Sequence, residues 1–205
     1  MTDPPRVRIV LASRNNGKLA ELRRILGPEY DLVALPESAP DVAETGATFE
    51  ENALLKAHAA VAETGLMAVA DDSGLTVDEL AGMPGVLSAR WSGLPSSDPT
   101  RDEANLRLVL AQLSETPDVR RGAAFVCAAA VAFPDGRAHV LRGEVRGTLL
   151  RGPRGTGGFG YDPIFVPDGE TRTTAEMSPA EKDAISHRGR AFRALAATLP
   201  ELIRG

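Results

Sequence analysis

The stretch Leu66-Met-Ala-Val-Ala-Asp-Asp-Ser-Gly74 begins with five apolar residues and continues into two adjacent aspartates. The apolar run predicts a central β-strand that ends at the acidic pair. Carboxylates at the carboxyl end of a strand lie where open α/β sheets bind ligands. Successive side chains of a strand point to opposite faces, so at most one of these carboxylates faces a given site unless the chain turns there. An Asx turn that merely terminates the strand would explain the same pair.

The segments around this strand predict an alternation of strands and helices. The predicted elements before it are a strand at residues 6–12, a helix at 18–26, a strand at 31–35 and a helix that a Thr48–Glu51 capping box opens and that runs to residue 65. The predicted elements after it are a helix at 99–114, a hairpin of 123–133 with 137–149, and two C-terminal helices that begin at Ser178 and near Gly189. This order predicts an α/β fold with a mixed sheet. Since no repeat or long linker interrupts it, we expect a single domain over residues 1–205.

The composition is close to that of an average soluble globular protein. Of the 205 residues, 43% are apolar and 25% are charged. A general nucleic-acid or membrane binder needs a basic surface, so the net charge of −5 argues against both partners and confines any anion site to a local cluster. No stretch approaches the roughly 18 apolar residues of a membrane span, and residues 1–6 lack the apolar core of a secretory signal. These features predict a cytoplasmic protein.

The single cysteine, Cys127, lies inside an apolar run. This position predicts a buried small side chain rather than a reactive thiol.

A candidate phosphate-binding loop lies between the first predicted strand and the first predicted helix. Backbone N–H groups at a helix N-terminus favour anions, and a lysine there adds a full positive charge. The loop is not a Walker A motif, because the first glycine is missing and Leu19 stands where Ser or Thr would contact Mg²⁺. An ordinary turn with a solvated lysine is the alternative. The residues of this loop are Ser13, Arg14, Asn15, Asn16, Gly17 and Lys18.

Two further acidic residues, Glu44 and Glu51, precede the central strand. Mg²⁺ is usually held by one or two carboxylates plus substrate phosphates. Glu51 already has a role in the capping box of Thr48, which leaves Glu44 as the freer ligand candidate. Asn52 and Lys56 lie four positions apart and share a helix face, and a solvated surface pair is their default interpretation.

The stretch Gly155-Thr-Gly-Gly-Phe-Gly-Tyr-Asp162 combines four glycines with two aromatic residues at alternate positions. The glycines let the backbone approach a ligand closely, and Phe159 and Tyr161 offer faces on which a planar base stacks. A flexible hairpin loop whose two aromatic side chains pack into the core is the alternative.

Lys182, His187 and Arg188 bring three potential cations within seven positions. If this segment is helical, Lys182 and Ser186 share a face at i and i+4, with His187 beside them. A basic, solvated helix end is the alternative. Together with the phosphate loop, the candidate Mg²⁺ carboxylate and the candidate stacking loop, these cations indicate a nucleotide enzyme.

Six motifs that occur in order along the chain resemble those of the inosine triphosphate pyrophosphatase (Ham1-like) family, specifically its bacterial branch that acts on dITP and XTP. The resemblance extends over nearly the whole chain. The motifs are Ser13-x-Asn-x-x-Lys18, Phe49-x-Glu-Asn-Ala53 with Lys56, Ala70-Asp-Asp-Ser-Gly74, Pro84-Gly85 with Ser88-Ala-Arg90, Gly155-Thr-Gly-Gly-Phe-Gly-Tyr-Asp-Pro163, and Glu181-Lys182 with Ile185-Ser-His-Arg188.

The resemblance implies both a fold and a reaction. The implied fold is an elongated mixed β-sheet flanked by helices that form two lobes, with the nucleotide in a central cleft, and usually a homodimer. The implied reaction is the hydrolysis of ITP, dITP and XTP to the monophosphate and pyrophosphate, with Mg²⁺ as the cofactor.

The resemblance also implies roles for individual residues. Asp72 would bind Mg²⁺ and accept the proton of the attacking water, and Glu44 would be a further metal-site carboxylate. Ser73 and Arg90 would touch the substrate. The phosphates would be held by the loop from Ser13 to Lys18 together with Lys56, the base and sugar by Phe159, Gly160, Tyr161 and Asp162, and the base would be read by Lys182, His187 and Arg188.

Discrimination among bases is expected at purine C6. Hypoxanthine and xanthine present a carbonyl acceptor there, whereas adenine presents an amino donor. Lys182 and Arg188 would bond the carbonyl, and against adenine their donors would stay unpaired at a cost of about 1–3 kcal/mol each, or more when charged. GTP shares the carbonyl, so its rejection does not follow from these donors.

Two other functions stay open at this point. A Maf-type nucleotide pyrophosphatase has a related fold and Mg²⁺ chemistry but prefers other bases, and the Ser-His-Arg motif at residues 186–188 argues against it. A nucleotide sensor without catalysis is the second alternative, and the intact Asp72 and Lys18 argue against that one.

Overall fold

The computed structural model describes residues 6–204, apart from the side chain of Asn16. The first five residues, which bear on the expectation about a secretory signal, therefore lie outside the described residues. So does the side chain of Asn16, which is expected to contact the phosphates. The strands are β1 (Val7–Leu11), β2 (Tyr30–Ala34), β3 (Ala68–Val77), β4 (Gly122–Ala132), β5 (Ala138–Leu149) and β6 (Phe165–Pro167). The helices are α1 (Asn16–Leu26), α2 (Phe49–Thr64), α3 (Arg101–Gln112), α4 (Pro179–Ile185) and α5 (His187–Arg204). Within residues 6–204, no helix combines the length and the apolar character that crossing a membrane requires.

The six strands form one mixed sheet in the order β2-β1-β3-β4-β5-β6. β1 pairs in parallel with β2 and β3, whereas β5 pairs antiparallel with β6. The predicted hairpin between β4 and β5 is present, and the N–H of Phe133 donates to the carbonyl of Arg137 at 2.9 Å across its turn. The predicted α/β fold with a mixed sheet is confirmed.

The chain divides into two compact units, and residues of β3, β4 and β5 belong to both. The first unit contains residues 1–72, 127–143 and 188–205, and the second contains residues 73–126 and 144–187. Each unit is therefore assembled from separate stretches of the chain. The expectation of a single domain over residues 1–205 stays a prediction.

The core of the first unit combines strand residues with the apolar faces of α1 and α5. Leu22 of α1 and Phe192 and Leu195 of α5 are buried in this cluster, on the helix faces that the sequence pattern predicted. Cys127 is completely buried in the same cluster. The prediction of a buried cysteine is confirmed, and burial raises the pKa of its thiol.

The core of the second unit forms around α3. Its buried members include two residues of α3, the residue that follows this helix, and three residues after the last glycine of the glycine-rich stretch. These are Leu106, Val109, Leu113, Tyr161, Ile164 and Phe165. Tyr161, which follows the glycines at residues 155–160, is therefore part of a packed core.

β3 continues through the acidic pair instead of ending there, so the predicted strand end at Asp71 is wrong. Beyond the aspartates, the N–H of Leu75 donates to Oγ of Ser88 at 2.9 Å. A Cβ at Gly74 would lie 2.3 Å from that oxygen, so only glycine lets Ser88 approach the strand here. Aspartate disfavours strands by its local propensity, but Asp71 and Asp72 are both paired with cations, as described below, and these pairs permit their burial in extended backbone.

The two predicted capping boxes are realised to different degrees. At α2, Oγ1 of Thr48 accepts from the N–H of Glu51 at 3.1 Å, but the Glu51 carboxylate accepts from the N–H of Ala47 rather than from that of Thr48. At α4, the box of Ser178 and Glu181 is complete.

The helix that the second box opens is short. It ends at Ile185, and the backbone of Ser186 turns out of the helix with φ −52° and ψ 129°. The predicted helix face shared by Lys182 and Ser186 is therefore wrong.

Candidate active site

Asn15 shapes the loop that precedes α1. Its side-chain oxygen accepts hydrogen bonds from the N–H groups of Gly17 at 2.8 Å and Lys18 at 3.1 Å, and its own N–H donates to Oγ of Ser13 at 3.1 Å. The Asn15 side chain therefore caps the helix and occupies two of the backbone donors that the sequence assigned to phosphates. The loop contributes two cationic groups, the guanidinium of Arg14 and the ammonium of Lys18.

Lys18 and Arg188 both contact the buried carboxylate of Asp71. The Nζ atom of Lys18 lies 2.9 and 3.0 Å from the two carboxylate oxygens, and Nε of Arg188 donates to Oδ2 at 3.1 Å. Burial acts to raise the pKa of Asp71, but the two cations outweigh burial and hold that pKa well below its usual range. Asp71 is therefore a permanent anion at neutral pH.

Asp72, the next residue of β3, has a different set of partners. Its Oδ1 accepts from Nζ of Lys56 at 3.0 Å, and its Oδ2 accepts from Nδ2 of Asn52 at 3.1 Å. The Lys56 ammonium also donates to Oε1 of Glu44 at 3.1 Å, so one cation joins two carboxylates. Burial, aided by the charge of Glu44, raises the pKa of Asp72 above its usual value against the effect of Lys56. A carboxylate with a raised pKa is a better proton acceptor than an ordinary aspartate.

Lys56, the cation that contacts Asp72 and Glu44, also has a shifted pKa. Burial acts to lower the pKa of Lys56, but the charges of Asp72 and Glu44 outweigh it and raise that pKa. Lys56 is therefore charged when it contacts both carboxylates.

Asn52 and Lys56 are not the solvated surface pair that the sequence suggested. Asn52 is completely buried, and its Oδ1 accepts from the N–H of Gly46 at 2.8 Å while its Nδ2 donates to Asp72. The Lys56 side chain is 18% exposed. The interpretation fails because this face of α2 meets the acidic part of β3, which the helix pattern alone does not show. Asn52 is thus a site residue that our reasoning from sequence missed, although its place in the Phe49–Ala53 motif was an available signal.

Asp72 and Glu44 are the side chains that could hold a metal ion. One ammonium lies within 3.1 Å of both carboxylates, so a single cation can contact the two together. This donor set fits Mg²⁺, which is usually held by one or two carboxylates plus phosphate oxygens. In the described part of the chain, no group of three or more His, Cys, Asp or Glu side chains could hold a metal by itself. The two carboxylates would thus supply part of the coordination of Mg²⁺, which usually also keeps several waters and binds substrate phosphates.

A cavity of about 300 Å³ lies beside Lys56 in the first unit. Arg14 lines it, with its NH1 donating to Oδ1 of Asp41 at 2.8 Å and its NH2 donating to the carbonyl of Ala39. Part of the lining consists of small side chains, which are Ala12, Ala39, Ala59 and Ala60. The cavity therefore offers room for a ligand next to two cations, Arg14 and Lys56.

Phe159 and Tyr161 differ in exposure, although both were predicted to contact a base. Phe159 is 70% exposed, whereas Tyr161 is 5% exposed and donates its hydroxyl to the carbonyl of Ser88 at 2.9 Å. The side chain of Tyr161 therefore packs in the core, as the alternative to base contact predicted. The side chain of Phe159 is accessible to a ligand.

Asp162 is the buried centre of the glycine-rich loop in the second unit. Its carboxylate accepts from the N–H of Phe159 and from the hydroxyl of Thr174, both at 2.8 Å. It also contacts the ammonium of Lys182, which lies 4.7 Å from the centroid of the Phe159 ring. Asp162 therefore positions both the exposed ring and the adjacent cation.

The other residues expected at the substrate have separate surroundings. His187 stacks on Phe125 with ring centroids 5.2 Å apart, Ser73 is half-buried within β3, and Arg90 is exposed at the end of a 3-10 turn. The first unit holds the candidate residues Ser13, Arg14, Asn15, Asn16, Gly17, Lys18, Glu44, Lys56, Asp72 and Arg188. The second unit holds Ser73, Arg90, Phe159, Gly160, Tyr161, Asp162, Lys182 and His187.

Comparison with known sequences assigns the chain to one family along most of its length. The model of the Ham1 family matches residues 9–198. A protein of Frankia alni named dITP/XTP pyrophosphatase is 63% identical over 201 residues, which are 96% of this chain and 99% of that protein. A protein of Streptomyces avermitilis with the same name is 58% identical, over 96% of this chain and 98% of its own length.

Solved structures match the fold as well. A HAM1 protein from Coxiella burnetii superposes with a TM-score of 0.87 at 43% identity, covering 95% of this chain and 99% of that one. The nucleoside-triphosphatase (dITP/XTP pyrophosphatase) of Mycobacterium abscessus gives a TM-score of 0.79 at 57% identity, covering 95% of this chain and all of that one.

Proposed function

Since this chain belongs to the Ham1 family, we propose that it is a nucleoside-triphosphate pyrophosphatase that acts on the non-standard purine nucleotides ITP, dITP and XTP. Water would cleave the bond between the α- and β-phosphates to give the nucleoside monophosphate and pyrophosphate. The observation that carries the proposal is the setting of Asp72, whose buried carboxylate contacts Lys56 and Asn52 and shares the Lys56 ammonium with Glu44.

In the proposed reaction, Asp72 accepts the proton of the attacking water. Water is a poor nucleophile at neutral pH, so a carboxylate within hydrogen-bond reach lowers the barrier by taking the proton as the new P–O bond forms. Asn52 holds the carboxylate through its second oxygen and so orients it.

Asp72 and Glu44 are also the proposed ligands of Mg²⁺. When bound, Mg²⁺ would supply a positive charge that offsets the charge of the phosphates. The chain itself contributes the pair of carboxylates. Both already contact one cation, the ammonium of Lys56.

Cations of the first unit are proposed to bind the phosphates and the leaving pyrophosphate. Lys18 and Lys56 are held by buried carboxylates, and Arg14 lines the cavity beside Lys56. Fixed positive charges of this kind stabilise the negative charge that develops on the leaving group. Ser13 and the loop up to Lys18 would contact the same phosphates.

The base is proposed to contact Phe159 and to be read by donors. The exposed ring of Phe159 can stack on a purine, an interaction that contributes about 1–3 kcal/mol per base in other proteins. Lys182, beside that ring, and Arg188 would donate to the C6 carbonyl, and His187 would read the base with them. Tyr161 would contribute through its backbone and through its packing, because its side chain lies in the core.

The decisive test of the mechanism is the variant Asp72→Asn. It should still bind dITP but should lose at least about a hundredfold in turnover, the size of effect that general-base catalysis contributes. Asp31→Asn is the matched control, since Asp31 is a carboxylate of the first unit that pairs with Arg8 at the surface. Near-normal turnover of Asp72→Asn in a pyrophosphate-release assay would remove Asp72 from its proposed role.

The substrate range separates the proposal from its alternatives. Side-by-side hydrolysis of ITP, dITP, XTP, dTTP and UTP should show the inosine and xanthine nucleotides as the preferred substrates, because they carry the C6 carbonyl that Lys182 and Arg188 are proposed to bind. Preference for dTTP or UTP would indicate Maf-type specificity, and binding without pyrophosphate release would indicate a sensor. A homodimer, a cytoplasmic location and the lack of nucleic-acid or membrane partners stay predictions.

A further inference from the structure

Asp71 has no part in the proposed hydrolysis, yet its carboxylate contacts two of the proposed substrate-binding cations. Both of its oxygens lie within 3.0 Å of Nζ of Lys18, and Oδ2 also accepts from Nε of Arg188 at 3.1 Å. The Asp71 side chain is 3% exposed, whereas those of Lys18 and Arg188 are 29% and 19% exposed. The anion is thus buried beneath two cations that reach the surface.

The two cations come from distant parts of the chain. Lys18 lies in the first turn of α1, and Arg188 lies in the first turn of α5. Like charges repel, so two cations that contact the same small group need an anion between them. Asp71 is such an anion, and its carboxylate contacts both cations directly. The three side chains together carry one net positive charge.

A second proton acceptor is a poor explanation for Asp71. Two cations contact the Asp71 carboxylate, whereas Asp72 contacts one cation and the neutral amide of Asn52, so Asp71 is the weaker proton acceptor of the two. Strand alternation also directs its side chain away from the face on which Asp72 contacts Lys56 and Asn52.

We propose that Asp71 is a positioning residue, which sets Lys18 for the triphosphate chain and Arg188 for the base of the same substrate. This inference rests on the proposed function for the roles of the two cations. A carboxylate accepts from both cations at once, whereas an amide in its place has one acceptor oxygen and turns an NH₂ donor toward the second cation. Asp71→Asn should therefore release at least one of the cations.

The first experiment measures steady-state kinetics and binding in Asp71→Asn. We expect KM for dITP to rise about tenfold or more, the effect of losing one charge-assisted hydrogen bond. We expect kcat to fall as well, because a displaced Lys18 no longer stabilises the leaving pyrophosphate. A purely structural role would instead lower kcat per mole of protein, through a smaller folded fraction, and leave KM unchanged. That outcome would overturn the proposal.

The second experiment separates the two cations by isothermal titration calorimetry. Inorganic tripolyphosphate has no base and probes Lys18, whereas dIMP has no pyrophosphate and probes Arg188. Asp71→Asn should weaken the binding of both probes. Its effect on tripolyphosphate binding should be smaller in a Lys18→Met background, and its effect on dIMP binding should be smaller in an Arg188→Gln background. The reason is that a residue that acts through another has no further effect once that residue is gone. Additive effects, or unchanged dissociation constants in Asp71→Asn, would refute the inference.

Two controls complete the design. Asp31→Asn makes the same chemical change at a surface ion pair and should leave both dissociation constants unchanged. Asp71→Glu keeps the charge and should bind both probes better than Asp71→Asn does; if neither Asp71 variant folds, the residue is a folding determinant and the positioning role is rejected. If the wild type binds the probes but does not hydrolyse dITP, the proposed function fails, while the calorimetric comparison still decides the role of Asp71.

Discussion

The side chains of Asp71 and Asp72 leave β3 in succession, and each meets its own set of cations. Asp71 contacts Lys18 and Arg188, and these charges lower its pKa. Asp72 contacts Lys56, but burial and the nearby charge of Glu44 raise its pKa. Two identical residues at adjacent positions thus have pKa values that their surroundings shift in opposite directions.

At the same scale, the exposure of Phe159 leads to a prediction about base binding. Phe159→Ala should weaken the binding of dIMP, because it removes the ring on which the base would stack, and should leave the binding of free pyrophosphate nearly unchanged. Calorimetric titration of both ligands measures the difference. Equal losses for the two ligands would make Phe159 a packing residue of its loop.

Capped helices carry several of the candidate site residues, and their caps determine where they begin. α2 begins after Thr48 and presents Asn52 and Lys56, one turn apart, to the acidic part of β3. α4 begins after Ser178, and its second turn carries Lys182. Because these helices start at defined caps, the side chains one or two turns later have defined positions.

The cap of α4 predicts a dependence of stability on pH. The Glu181 carboxylate accepts from the N–H and the hydroxyl of Ser178 and from Arg172, which together lower its pKa to about 2. A lowered pKa in the folded state means that this stabilisation is complete above the ordinary glutamate pKa and disappears as the pH falls toward 2.

Glu181→Ala should therefore melt at a lower temperature than the wild type at pH 7, and the difference should close between about pH 4.5 and pH 2. Circular dichroism melts across this range measure it. Glu201→Ala, at an exposed glutamate of α5, is the control for losing a surface carboxylate. A difference in melting temperature that does not change with pH would contradict this account.

The net charge of the whole molecule has the same sign as the charge of the proposed substrate. The chain carries a net charge of −5, and a nucleoside triphosphate is itself strongly anionic. The cations that would bind the phosphates are local, and Lys18 and Lys56 are each paired with buried aspartate. Much of their charge is already balanced, so we expect a divalent cation to offset the charge of the phosphates.

Removal of divalent metal should accordingly abolish hydrolysis of dITP. We expect EDTA to stop pyrophosphate release and added Mg²⁺ to restore it, with Asp72 and Glu44 as the carboxylates responsible. Glu44→Gln should raise the Mg²⁺ concentration needed for half-maximal activity, and Asp31→Asn should not. Full activity in EDTA would mean that the chain works without a metal.

Much of the fold could be predicted from local pattern. The periodicity of apolar residues predicted α1, α2, α3 and the β4–β5 hairpin, because core-facing positions recur with the period of the element. The capping pattern of Ser178 and Glu181 predicted the start of α4. The predicted end of β3 was wrong, since local propensity carries no information about Ser88, which bonds to the strand from 13 positions away.

The order of the elements, the alternation that separates Asp71 from Asp72 and the motifs of the family all follow from the amino-acid order. Which cations those carboxylates contact depends on the folded chain, because Lys18 and Arg188 lie 53 and 117 positions from Asp71. The tertiary structure likewise decided that Asn52 is buried and that Tyr161 packs while Phe159 is exposed. Burial and ion pairing depend on segments remote along the chain, whereas periodicity and capping depend on neighbours within a few residues.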